Sequence, residues 1–198
     1  MKNSMIKNAR TRSLADYLKL TAILVILAVC VQLSASYVLN VVLNMLPKVA
    51  DEYLAIQDTL IRFDFKRIFT VCVFAPVLEE TVFRLLILRL GARFIPFWIM
   101  NVIQAVLFGI YHGNWVQGIY AFIIGMLFGY IMHVCEWLAA SVIVHMAVNT
   151  CGYVMQVVPL YQEGTSPAIP VIAIIALLLG GAIIIHLRGQ YEQANRHI

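Results

Sequence analysis

Charge is what this chain has least of. Of 198 residues, 14 are Lys or Arg and 10 are Asp or Glu, while 62% are hydrophobic. The mean hydropathy is +0.88. A soluble domain of this size needs far more polar surface, so the shortage excludes one. The apolar excess calls for an apolar solvent, and lipid supplies it. Polar linkers are lacking too, which leaves one compact membrane domain. Cysteine is sparse: Cys30, Cys72, Cys135 and Cys151 form no CxxC and lie in or beside apolar runs. They read as small buried hydrophobes and say little about redox compartment. No basic-aromatic stripe is present, so the net charge of +4 sets topology and a nucleic-acid partner is excluded. No cleavable leader is evident: the first apolar run, Leu20 to Leu46, exceeds a signal-peptide core and is expected to stay as an anchor.

What is there is a series of apolar runs. After Leu20–Leu46 come Ile68–Leu88, Ile95–Tyr111, Val116–Met132, Trp137–Val158 and Val171–Leu187. These predict an all-α polytopic bundle of about six membrane-spanning helices. The layout is a basic segment 1–19, a membrane-embedded domain 20–187 and a tail 188–198. The polar stretch 47–67 is the longest loop, and a Pro- and Gly-containing loop follows Val158. With six spans, Lys2, Lys7, Arg10, Arg12, Lys19, Arg89, Arg93, Arg188 and Arg196 fall on one side, against Lys48, Arg62, Lys66 and Arg67 on the other. That asymmetry predicts both termini in the cytoplasm. Gly118, Gly125 and Gly129 in the fourth run suit close helix approach.

The second run carries Pro76, Glu79, Glu80 and Arg84. A carboxylate at membrane depth costs at least about 2.5 kcal/mol, so two in succession need a reason. Glu80 and Arg84 are four apart on one helix face and can pair, whereas Glu79, about 100° round the helix, has no obvious cation of its own. These three residues can be a polar knot for packing or part of a reactive site. His112, His145 and Asn149 weigh towards the second, with His145 and Asn149 sharing a face. Together they offer a general base, imidazole partners and oxyanion donors. No Ser or Cys nucleophile stands at matching depth, which points to an activated water and to hydrolysis. His133 and Glu136 read as interfacial, and Phe83 and Phe108 as packing around the site.

Glu79-Glu80-Thr81-Val82-Phe83-Arg84 reads as EExxxR, Phe108 to His112 as FxxxH, and His145 to Asn149 as HxxxN. In this order the motifs resemble the CAAX protease and bacteriocin-processing (CPBP, or Abi) family of membrane endopeptidases. The resemblance covers about residues 68–155, the motif core. Leu85 departs from it, since many members have Gly after the Arg. The resemblance implies a membrane-embedded peptidase domain over 20–187. Glu79 and His112 would activate a water, His145 and Asn149 would stabilise the oxyanion, and Glu80 and Arg84 would hold the site in shape. The family has been labelled metalloprotease, yet the chain has no HExxH and Asn149 is a poor zinc ligand. A metal-free mechanism is therefore favoured, and zinc, if used, would sit on Glu79, His112 and His145.

The expected substrate is a peptide or protein at the membrane, lipidated or not. Competing readings are a non-enzymatic bacteriocin-immunity or scaffold protein and, behind it, a small transporter. The transporter lacks an internal repeat. Size and the lack of a eukaryotic targeting extension suggest a bacterial cell membrane. One tension is set for the structure: these limits put His112 at the end of its helix, with Glu79 and His145 deep in theirs.

Overall fold

The structure is a computed structural model that describes residues 12–51, 53, 64–157 and 168–195. Lys2, Lys7, Arg10 and Arg196, most of the 47–67 loop and the connection 158–167 lie outside them. Every regular element among the described residues is helical. The principal ones are α1 (Leu14–Met45), a composite α2, α3 (Phe97–Tyr111), α4 (Trp115–Cys135), α5 (Leu138–Val157) and α6 (Ala168–Asn195). Leu14–Met45, Trp115–Cys135, Leu138–Met155 and Ala168–Ala194 are long and apolar enough to cross a membrane. The chain is thus a polytopic helical bundle, as its apolar runs predict.

The ends of α1 and α4 are tied together. Ser13 and Asp16 form a reciprocal capping box at the start of α1. Beside it, Arg12 is buried and donates from Nη2 to the Cys135 carbonyl at 2.6 Å. That places a cation on the negative end of α4. Arg12 therefore belongs to the packed bundle, although the sequence assigns it to a polar flank.

Four consecutive segments, Phe65–Phe69, Thr70–Phe74, Ala75–Glu79 and Glu80–Arg89, run on as one helix, α2. The second and fourth are π-helical. Pro76 accounts for the first widening. It has no N–H and its ring crowds the carbonyl of the preceding turn. The Ala75 N–H reaches back five residues to Thr70, and Pro76 has nothing to offer the next carbonyl, that of Val71. The π turns thus flank the segment that ends at Glu79, a placement common at functional sites.

Pro96 precedes α3, which is only 15 residues long. At the helical rise it spans about 22 Å, less than a hydrocarbon core of roughly 30 Å. It is the shortest of the principal helices. It turns directly into α4 through His112, Gly113 and Asn114. Gly113 takes φ +70°, and the Asn114 side chain caps α4 by accepting from the Val116 and Gln117 amides. Glycines bring α3 and α4 together: a Cβ on Gly109 would stand 2.6 Å from the Gly118 carbonyl oxygen.

The main core joins α1, α4, α5 and α6 through residues such as Leu24, Leu27, Phe128, Ile131, Val144 and Leu187. Smaller clusters, Phe83–Phe108–Ala121 and Leu88–Met100–Met132, seat α2 and α3 against α4. On α6, Ile174, Ile175, Leu177 and Leu178 are each more than half exposed, as a lipid-facing surface requires. His133 is stacked on Phe97 with 3.9 Å between ring centroids, so it packs α3 to α4, and Glu136 ends α4 with φ 49°.

Candidate active site

The site begins with a buried ion pair. Glu80 and Arg84 are both fully buried, with Nη1 3.1 Å from Oε1. The four-residue offset survives the π-helical widening. Arg84 also donates from Nη2 to the Gly125 carbonyl at 3.2 Å. Its guanidinium lies 4.3 Å from the Phe108 ring centroid and 5.3 Å from that of Phe128. Aromatic faces and a carbonyl thus supplement the carboxylate in holding a charge that burial would otherwise make costly. Gly125 permits this approach, since a Cβ there would meet Phe108 at 3.0 Å and Arg84 Nη2 at 3.4 Å.

His145 of α5 comes onto the same carboxylate. Its Nδ1 donates to Glu80 Oε1 at 2.8 Å, which fixes the ring plane and leaves Nε2 for other work. Nε2 faces Glu79 Oε2 at 3.6 Å. That gap is too long for a direct hydrogen bond and suits a shared third group. Arg84, Glu80, His145 and Glu79 therefore form one chain of polar contacts, buried at its Arg84 end and only slightly exposed at Glu79.

His112 approaches from the end of α3. Its Nδ1 lies 2.8 Å from the Phe108 carbonyl oxygen. A carbonyl only accepts, so the proton is on Nδ1 and Nε2 presents a lone pair. The Phe108 ring meets both imidazoles edge to face, at 4.7 Å from His112 and 5.8 Å from His145. Asn149, one turn beyond His145, donates from Nδ2 to the Val71 carbonyl at 3.0 Å. This is the carbonyl that Pro76 leaves without a helical donor, so α5 supplies what α2 lacks.

Glu79, His112, His145 and Asn149 all line one cavity of about 840 Å³. The tension over His112 resolves in the cavity itself: His112 stands at the end of α3, yet it lines the same space as Glu79 and His145. Glu80 and Arg84 stand behind this wall. Phe83 and Phe108 pack edge to face at 5.1 Å and shape the site as apolar supports.

Sequence reasoning passed over several polar residues here. Gln104, fully buried, donates from Nε2 to the Gly125 carbonyl at 3.0 Å, the same oxygen that Arg84 uses. Asn101, also buried, donates to the Met126 carbonyl at 3.0 Å. Across the cavity, Tyr120 donates to Gln32 Oε1 at 2.7 Å. The signal was available: amides inside apolar runs are costly unless paired.

Glu79 and His145 are spaced as two ligands of one zinc ion could be. Among the described residues, however, no three His, Cys, Asp or Glu side chains gather closely enough to hold a metal. Glu79, His112 and His145 do not form such a group.

Comparison with known proteins adds one match. Residues 62–151 fit the family model described as type II CAAX prenyl endopeptidase Rce1-like. No curated protein and no solved structure matches. The matched segment runs from the start of α2 into α5 and contains all three motifs. Over this segment the chain is similar to the CAAX protease family of membrane endopeptidases, the family that its three motifs resemble.

Proposed function

We propose that the protein hydrolyses a peptide bond of a membrane-associated peptide or protein, with a water activated by Glu79 as nucleophile. The observation that carries this reading is the placement of His145 on the cavity wall between two carboxylates, 2.8 Å from Glu80 behind the wall and 3.6 Å from Glu79 on it. Glu79 takes a proton from the water, and His112 Nε2 orients that water through its lone pair. The new O–C bond forms at the scissile carbonyl. His145, protonated on both nitrogens, donates from Nε2 to the oxyanion, with the second Asn149 amide hydrogen beside it. As the C–N bond breaks, Glu79 returns its proton to the leaving amine. Glu80 and Arg84 keep His145 in register. Both termini lie in the cytoplasm, in keeping with the excess of Lys and Arg assigned to that side.

The experiment compares peptide termini by mass spectrometry in membranes carrying wild type or Glu79→Gln at matched, folded levels. New termini with wild type alone support the proposal and name the substrate. Identical termini would overturn it in favour of a binding role.

A further inference from the structure

α1 lies outside the segment 62–151 that matches the family, yet it forms a wall of the same cavity. Its apolar run is interrupted by Gln32, Ser36, Asn40 and Asn44, each four residues after the last. That spacing keeps them on one helix face. Gln32, Ser36 and Asn40 line the cavity with Glu79 and His145. The first two are linked, Gln32 Nε2 donating to Ser36 Oγ at 2.9 Å, and Asn44 Nδ2 donates to Asn40 Oδ1 at 2.9 Å. Burial falls along the stripe, from Gln32, which is buried, through Ser36 to Asn40 and Asn44, which are exposed. Gly152 of α5 leaves room for the buried end, since a Cβ there would stand 3.0 Å from Gln32 Nε2.

We infer that this face of α1 is a substrate-binding surface that hydrogen-bonds the backbone of an extended, uncharged peptide segment and leads it to Glu79. The inference rests on the peptidase reading above. A peptide inside an apolar bundle must find a partner for each N–H and C=O. Amide and hydroxyl side chains both donate and accept, and they carry no charge that would select a side chain. The spacing fits as well. Residues four apart on a helix are about 6 Å apart along its axis. Backbone groups of the same sense on an extended chain recur every two residues, at roughly 6.4–6.8 Å. Gln32, Ser36 and Asn40 can therefore engage alternate residues of one strand.

The test uses the whole protein in lipid nanodiscs and a degenerate pool of acetylated, amidated decapeptides, with products read by mass spectrometry. Members that wild type cleaves are resynthesised with N-methyl groups at alternate backbone nitrogens. Asn40→Leu, at an exposed position, is expected to raise KM about tenfold with kcat unchanged. Val38→Leu, on an exposed position off the stripe, should leave both unchanged. N-methylation should weaken cleavage by wild type and weaken it less in Asn40→Leu. An unchanged KM in Asn40→Leu, or N-methyl penalties equal in both proteins, would overturn the surface while leaving hydrolysis standing. If wild type cleaves no member, the peptidase reading fails, and the surface is judged by binding alone. Retention of the parent pool over the N-methylated pool by Glu79→Gln, lost in Glu79→Gln/Asn40→Leu, would uphold it, and equal retention would reject it.

Discussion

His145 Nδ1 sits 2.8 Å from Glu80 Oε1, and the same oxygen is 3.1 Å from Arg84 Nη1. One carboxylate oxygen thus serves a cation from its own helix and an imidazole from another. Glu80 differs in this from its neighbour Glu79, which faces the cavity. On the proposed reading, the two adjacent acids divide the labour between structure and chemistry.

Their replacement should separate accordingly. Glu80→Gln leaves Arg84 buried without its counter-ion, a loss of about 3–5 kcal/mol by analogy with broken buried pairs. Its thermal unfolding midpoint in detergent should fall well below wild type. Glu79→Gln should unfold within a few degrees of wild type. Equal midpoints for the two variants would contradict the division.

Arg84→Lys should not be a mild change. Lysine has one nitrogen where Arg84 places two, Nη1 at Glu80 and Nη2 at the Gly125 carbonyl, and it has no plane to lay against Phe108. We expect a destabilisation of about 1–3 kcal/mol, with the loss of a charge-assisted hydrogen bond. Arg84→Lys melting like wild type would show that the guanidinium geometry is unimportant.

Pro76→Ala restores an N–H that can satisfy the Val71 carbonyl within α2, releasing the Asn149 amide. The helix should gain stability or hold it, because the proline defect is removed. Activity should drop, since the widened turns before Glu79 relax and Asn149 loses its anchor. Activity and unfolding midpoint, measured together, check this. A variant that is both more stable and fully active would contradict the link between Pro76 and the site.

Gly109→Ala should force α3 and α4 apart, because the new Cβ would meet the Gly118 carbonyl oxygen at 2.6 Å. A loss of about 1–3 kcal/mol is expected from overpacking of this kind. Gly181→Ala, with nothing within 4 Å of the new Cβ, should be neutral or slightly stabilising through helix propensity. Thermal unfolding of the pair in one detergent decides it.

Much of the architecture could be read before the structure, because lipid imposes one rule: backbone must pair within helices, so apolar runs become helices. The Glu80–Arg84 pairing followed from a four-residue offset on one helix. What could not be read arises between helices. That Pro76 frees the Val71 carbonyl for Asn149 depends on how α5 crosses α2. That His112 reaches the cavity of Glu79 and His145 depends on how α3 packs against α2 and α4. Gln32 does not stand out because a neutral amide lowers hydropathy too little in a run of 27 residues, though the four-residue rhythm from Gln32 to Asn44 was present.

The most direct measurement is the rate of peptide cleavage by purified, reconstituted wild type and Glu79→Gln, using a substrate identified from membrane termini. Removing the base should lower kcat by at least about 10²–10⁴-fold while leaving KM and the unfolding midpoint near wild type. A folded Glu79→Gln protein that cleaves at the wild-type rate would contradict the claim that Glu79 activates the water.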